Sequence, residues 1–299
     1  MKPTSDQLIR LAAFQWLGAQ VSLRGEVLPW ATLLAGFQFE GARVPLVSMQ
    51  GIFTPRVCRL PLTVRTAVGG PYADSFASNG LLLYKYRGEN AFHRDNEGLR
   101  QAMLEQVPLI YLHGHLEGRY HAVWPVYVVG DSPATLTFTI AADEATRRPV
   151  IPEEVAYEDP AIRRAYVTAT VRRRLHQQGF REIVLAAYRE RCALCRLRHR
   201  ELLDASHIAP DSSPEGEPVV SNGLSLCKLH HAAFDGYILT VDPDYRVRVR
   251  RDVLDEQDGP MLKHGLQALE GQRIEVPHRE ELKPSRDLLA ARLELFLAR

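Results

Sequence analysis

Between residues 20 and 140 the apolar positions come in short β-prone runs: VPLVSMQGIF, LLLYKYRG, VPLIYLHG, YHAVWPVYVVG and ATLTFTIAA. Gly, Pro, Asn or Asp separates one run from the next. That grammar predicts a barrel or a strongly curved sheet. Helical spacing interrupts it twice, in an amphipathic segment at 5–19 and in EGLRQAML at 97–104. Residues 141–160 then carry three prolines and mixed charge with no sustained period, as a domain boundary does. Beyond them 161–190 reads as helix, with Gly179 as a candidate break, and LLAARLELFLAR near the end reads as a packing helix. The pattern divides the chain into a mostly β domain at 1–145, a linker at 146–160 and a second domain at 161–299, whose core spans about 188–242.

Composition changes this picture in two places. A chain of 299 residues with 45% apolar and 24% charged side chains can bury two cores, which excludes a disordered polymer. Lys+Arg (37) almost cancels Asp+Glu (36), so bulk charge points to no polyanionic partner. Local charge does: between 160 and 200 there are eleven Arg against two Glu, and arginine's fork of donors suits phosphate oxygens. No run approaches the ~20 apolar residues of a membrane span, so a soluble, cytoplasmic protein is expected.

The four cysteines are too few for a disulfide scaffold in a chain of this length. Cys58 stands alone and is expected in the core. The other three open a split pattern, Cys192-Ala-Leu-Cys195 and then Cys227-Lys-Leu-His230, with His231 following directly. Two pairs of borderline-to-soft donors at that spacing suit one tetrahedral structural Zn²⁺. Between the pairs lie LLDASHIAP, a polar connector from Asp211 to Ser221, and Asn222-Gly-Leu-Ser-Leu. These predict a strand ending at His207 and a second strand turning into a helix at about residue 228. Such an arrangement sets His207 and His231 toward one another, with room for a phosphodiester between a base and a metal.

These residues resemble the HNH, or ββα-metal, endonucleases, in the branch that carries a structural zinc. The motif letters fall on His207, Asn222 and His231. The resemblance implies that His207 is the general base, Asn222 braces the loop holding it, and His231 ligates a catalytic divalent metal such as Mg²⁺ or Mn²⁺. Cys192, Cys195, Cys227 and His230 are left to hold zinc. Asp235 lies four residues after His231 on the same helical face and is the candidate second ligand. Many family members place Asp or His directly before the base, where this chain has Ser206. Asp204 shares the strand face of Ser206 and is the alternative donor.

The first domain resembles the SRA domain, a PUA-like β-barrel that flips a modified cytosine out of DNA. The resemblance runs through GIFTP (51–55), GGPYADS (69–75), LLLYKYRG (81–88), HRDNEGLRQAM (93–103), PLIYLHG (108–114) and RYHAVWPVYVV (119–129). It implies that Tyr72 and Tyr86 sandwich the extruded base and that Asp74 accepts from its exocyclic amine. The expected fold class is therefore α+β in two domains: an N-terminal SRA-like curved β-barrel, and a C-terminal zinc-braced ββα-metal HNH nuclease fold with flanking helices. The implied function is that of a modification-dependent, type IV-like restriction endonuclease acting on double-stranded DNA that carries 5-methylcytosine. Because such a site cuts one strand at a time, a homodimer is expected. An HNH nuclease without base selectivity and a non-catalytic DNA-binding reader are the alternatives.

Overall fold

PLIYL reads as an unbroken apolar run because the strand it forms is covered on both faces. In the computed structural model, which describes residues 5–66, 75–77, 81–142, 160–211, 213–257 and 259–299, the chain forms two compact units, Met1–Leu175 and His176–Arg299. The first begins with α1 (Ser5–Arg24), β1 (Val27–Pro29), α2 (Trp30–Ala35), β2 (Phe37–Phe39), β3 (Ala42–Val44), β4 (Ile52–Phe53) and β5 (Thr63–Thr66). It continues with β6 (Ser75–Phe76), β7 (Leu82–Lys85), α3 (Arg94–Leu104), β8 (Leu109–Leu116), β9 (Arg119–Ser132) and β10 (Thr137–Ala142). The main sheet runs β4-β5-β8-β9-β10-β7-β6, with β1 added to β9. Every pair is antiparallel except β5 with β8. Among the described residues β4 and β6 do not pair, so the expected barrel is an open half-barrel.

Ile110 and Leu112 of β8 face one core, which α1 closes with Ile9, Ala13 and Leu17. Leu109 and Tyr111 face the other, shared with Leu99 of α3 and Phe138 of β10. Arg10 interrupts the apolar face of α1 yet is buried, because it donates to the carbonyls of Leu60, Pro61 and Pro108 and pairs with Asp6 at 2.7 Å. Cys58 is buried as expected, and burial pushes its thiol up to about 11. VPLVSMQGIF forms only the end of β3 and the short β4, since the stretch between them is irregular.

The next helix, α4 (Pro160–Ala187), contains the boundary between the units and runs unbroken through Gly179. A helical glycine costs about 1 kcal/mol against alanine; here the burial of Phe180, Val184 and Leu185 just beyond it outweighs that. Apart from Pro160, the expected linker at 146–160 lies outside the described residues.

The second unit holds β11 (Leu203–His207), β12 (Gly223–Cys227) and α5 (Lys228–Asp235). β13 (Leu239–Val241), β14 (Val247–Val249), α6 (Arg251–Asp255), α7 (Pro260–Gly265) and α8 (Arg286–Leu297) follow. β11 and β12 pair antiparallel with His207 opposite Gly223 and Leu203 opposite Cys227. The predicted strand, strand and helix therefore form at the predicted places. Among the described residues no helix is long and apolar enough to cross a membrane.

Candidate active site and metal centre

Burial along β11 departs from simple alternation, because its last residues are covered by neighbouring elements. Leu203 and Ala205 are buried, whereas Asp204 and His207 reach partial exposure and Ser206 is sealed. The His207 ring lies flat on Phe180 of α4, with centroids 3.9 Å apart and planes at 15°. Its Nε2 is buried with no hydrogen-bond partner among the described residues. Burial pushes the imidazole below its ordinary 6.5; the nearby charges of Asp211 and Asp235 act upward and His231 acts downward. A ring that is neutral at neutral pH can accept a proton.

Gly223 makes the stacking possible. A Cβ there would lie 2.5 Å from Val184 Cγ2 and 2.9 Å from Phe180 Cζ, so only glycine lets α4 come this close to β12. Asn222, buried just before it, fastens the loop that follows His207. Its Oδ1 accepts from the Ala209 amide at 2.8 Å, and its Nδ2 donates to the carbonyls of Ala209 (3.1 Å) and Glu217 (3.0 Å). One side chain thus joins both ends of the 209–217 loop.

His230 and His231 diverge at the start of α5. His230 is buried, and its Nδ1 lies 3.4 Å from Cys192 Sγ and 3.2 Å from Cys227 Sγ, while Cys195 Sγ lies 3.9 Å from Cys227 Sγ. The donor atoms of these four residues all fall within 4.8 Å of one another. A tetrahedron with Zn–S near 2.3 Å and Zn–N near 2.0 Å has edges of about 3.5–3.8 Å, so the Cys₃His group fits zinc. His230 Nε2 faces the Gly265 carbonyl at 2.8 Å; donation there fixes the tautomer that leaves Nδ1 for the metal. The knuckle is tied to the fold by the Ala193 amide, which donates to the Ser225 carbonyl at 2.7 Å.

His231 turns toward solvent. Its Nε2 is 3.1 Å from Asp235 Oδ2 and its Nδ1 is 3.9 Å from Asp204 Oδ2. The bond to Asp235 is the main cause that raises the His231 pKa. Burial acts to raise Asp235, but the bonds from His231 and Ser206 prevail and hold its carboxyl below the usual range. Ser206 donates to Asp235 Oδ1 at 3.1 Å, so this serine orients a carboxylate. An octahedral ion with bonds of ~2.1 Å needs neighbouring donors about 3.0 Å apart, which the His231–Asp235 separation meets. Imidazole and carboxylate on an open face fit a Mg²⁺- or Mn²⁺-like ion that keeps several waters.

Sequence reasoning missed two supports of this site. Phe180 carries no motif, and only its place on α4 reveals it. Arg292 lies within the helix assigned to packing, and there it is buried and donates to the carbonyls of Ile208 (3.2 Å) and Phe234 (2.5 Å). Its guanidinium sits 3.7 Å from the Phe234 ring centroid and 4.5 Å from that of Tyr237. Ile208 follows His207 and Phe234 precedes Asp235, so one cation spans the two halves of the site. An Arg flanked three and four residues away by Leu288, Leu289, Leu295 and Phe296 was the available signal.

In the first unit, Tyr72 and Asp74 lie outside the described residues. Tyr86 corrects an expectation: it is 1% exposed, stacked on Phe138 at 4.5 Å, and its hydroxyl bonds Asp131 and accepts from Arg100 at 3.1 Å. Its ring is committed to the core and offers no open face to a base.

No curated protein matches the chain. Solved structures with limited likeness to it include the following two. A "Modification dependent TagI restriction endonuclease" is 16% identical with a TM-score of 0.28, over 79% of this chain and 81% of that one. The "Type IV phosphorothioation-dependent restriction endonuclease ScoMcrA" is 17% identical with a TM-score of 0.24, over 63% of this chain and 48% of that one. The strands, helix and Cys₃His group described above fall within residues 192–242, the stretch that matches a family model described as HNH endonuclease.

Proposed function

We propose that the protein is a modification-dependent, type IV-like DNA endonuclease whose second unit hydrolyses phosphodiester bonds. The observation that carries this reading is the convergence on one ββα element of a half-buried, neutral-leaning His207 with His231 and Asp235, both close enough to act on its charge. His207 takes a proton from the attacking water, leaving 5′-phosphate and 3′-hydroxyl ends. Phe180 keeps the imidazole flat and Asn222 holds the loop behind it, so the base is oriented before substrate arrives. His231 and Asp235, with Asp204 in reach, would hold a divalent cation. Such an ion supplies positive charge to the phosphate and the leaving oxygen. Cys192, Cys195, Cys227 and His230 hold structural zinc beneath them.

The first unit selects the substrate, by the resemblance of its strings to a reader of 5-methylcytosine-type bases. Tyr72 and Asp74 carry that role. Double-strand breakage by a one-strand cutter calls for a homodimer. The test is nicking of methylated and unmethylated copies of one plasmid, with Mg²⁺ or Mn²⁺, by wild type and His207→Ala. We expect preference for the methylated copy and a loss of about 100-fold or more in the variant. Equal rates on the two plasmids overturn base selection, and unchanged nicking by His207→Ala overturns the catalytic assignment.

A further inference from the structure

The turn that ends α4 and leads into the zinc knuckle is built at some cost. Arg189 and Glu190 both adopt left-handed backbone, φ 56° and 54°, which residues with a Cβ disfavour. The Glu190 amide closes the turn on the Leu185 carbonyl at 2.8 Å. The reversal brings Arg189 and Arg191 to the wall of a cleft of about 310 Å³, whose far side is formed by Glu275, Val276 and His278. The Glu275 amide donates to the Ala193 carbonyl at 2.9 Å, which fixes that far side to the knuckle.

The charges of this cleft do not cancel. Glu275 is paired with Arg196 at 3.0 Å, and Glu190 with Arg200 at 2.6 Å, so both nearby acids are engaged elsewhere. Among the described residues neither the Arg189 nor the Arg191 side chain has an ion pair or hydrogen bond. Two loose guanidinium groups beside an imidazole, over a space large enough for one nucleotide unit, suit a phosphate oxygen pair.

We propose that this cleft is a phosphate subsite of the nuclease unit, in which Arg189 and Arg191 grip a backbone phosphodiester of DNA away from the bond that is cut. The proposal rests on the endonuclease reading and names how that site holds its substrate. It assigns Arg189 and Arg191 to affinity and register, with no part in the chemical step.

The test uses the full-length protein with zinc bound and a 30-base-pair duplex without divalent metal, and measures Kd against salt concentration. Arg189→Gln/Arg191→Gln is expected to weaken binding roughly tenfold at 0.15 M salt and to flatten the log Kd–log salt slope by about 1–2. Its kcat for nicking under saturating DNA stays within about twofold of wild type. A control with the same charge loss, Arg251→Gln/Lys263→Gln, whose residues do not line the cleft, is expected to move the slope by less than half as much. An unchanged slope in the Arg189/Arg191 variant, or an equal change in the control, overturns the subsite. Titration with inorganic phosphate separates the sources: loss of phosphate binding in the variant with duplex binding intact means a free-phosphate site and overturns the backbone assignment. Wild type that binds duplex through these arginines yet never nicks it leaves the subsite standing and removes the nuclease reading.

Discussion

His230 and His231 are neighbours on one helix and serve opposite environments. His230 is sealed among three sulfurs and shares them with a carbonyl at its back, whereas His231 stands half-open between two carboxylates. The first region is soft and mostly buried, with Cys195 alone of its four residues exposed. The second is open and hard, and leaves positions for water and substrate. One rotation of about 100° per residue along α5 is enough to send neighbouring imidazoles into two different environments, which the proposed function assigns to a structural and a catalytic centre.

The sharpest way to break that contrast is to strip the knuckle. Removing zinc with a strong chelator is expected to unfold the second unit, because binding of a structural zinc contributes about 10–16 kcal/mol to folding. The thermal transition of the first unit should persist, and nicking should vanish. A single unchanged melting curve would contradict the division of labour. Changing the open side is expected to do the reverse: Asp235→Asn should keep zinc and melt within a few degrees of wild type while nicking falls about 100-fold, since a catalytic ion supplies several kcal/mol of charge stabilisation.

Arg292 tests whether the two sides of the active cluster are held as one. Arg292→Met leaves two buried carbonyls without their donor and is expected to destabilise the unit by about 2–4 kcal/mol. Nicking by the folded fraction should fall roughly tenfold with zinc retained. Full activity in folded, zinc-loaded protein would reduce Arg292 to a packing residue. The smallest effect concerns pH. Burial lowers the His207 pKa below 6.5, so the neutral ring persists to lower pH. The acid limb of kcat/KM should therefore lie below 6.5, with activity lost as pH falls through the folded value. The same depressed value stabilises the fold above the unfolded pKa, and that contribution disappears over the same acid range. An acid limb above 6.5 would show a ring charged by its neighbours.

What could be read in advance follows from how local each feature is. The knuckle, the two strands and α5 are legible because their donors are two or three residues apart and the register fixes the rest. The Asn222 brace was expected from the family resemblance alone, since its bonds to Ala209 and Glu217 reach across a loop that no local spacing specifies. Phe180 and Arg292 reach the site from helices 27 and 84 residues away along the chain from His207 and Ile208 respectively, and no local spacing encodes such contacts. In the first unit α1, α3 and the long strands were readable from their periods, whereas the short α2 (Trp30–Ala35) was not. The open sheet was not, since alternation tells which face is buried and says nothing about whether the ends meet. Tyr86 illustrates the same gap: strand periodicity places it on a face, and only packing against Phe138 shows that the face is the core.

The bare Cα at position 223 has one more consequence. The Val184 and Phe180 side chains of the helix rest directly on the backbone of the strand there, and Phe180 is also the ring on which the imidazole of His207, opposite Gly223, is stacked. Gly223 is the place where a single added carbon would act as a wedge, turning the His207 ring while leaving the donor atoms of the Cys₃His group untouched in chemistry.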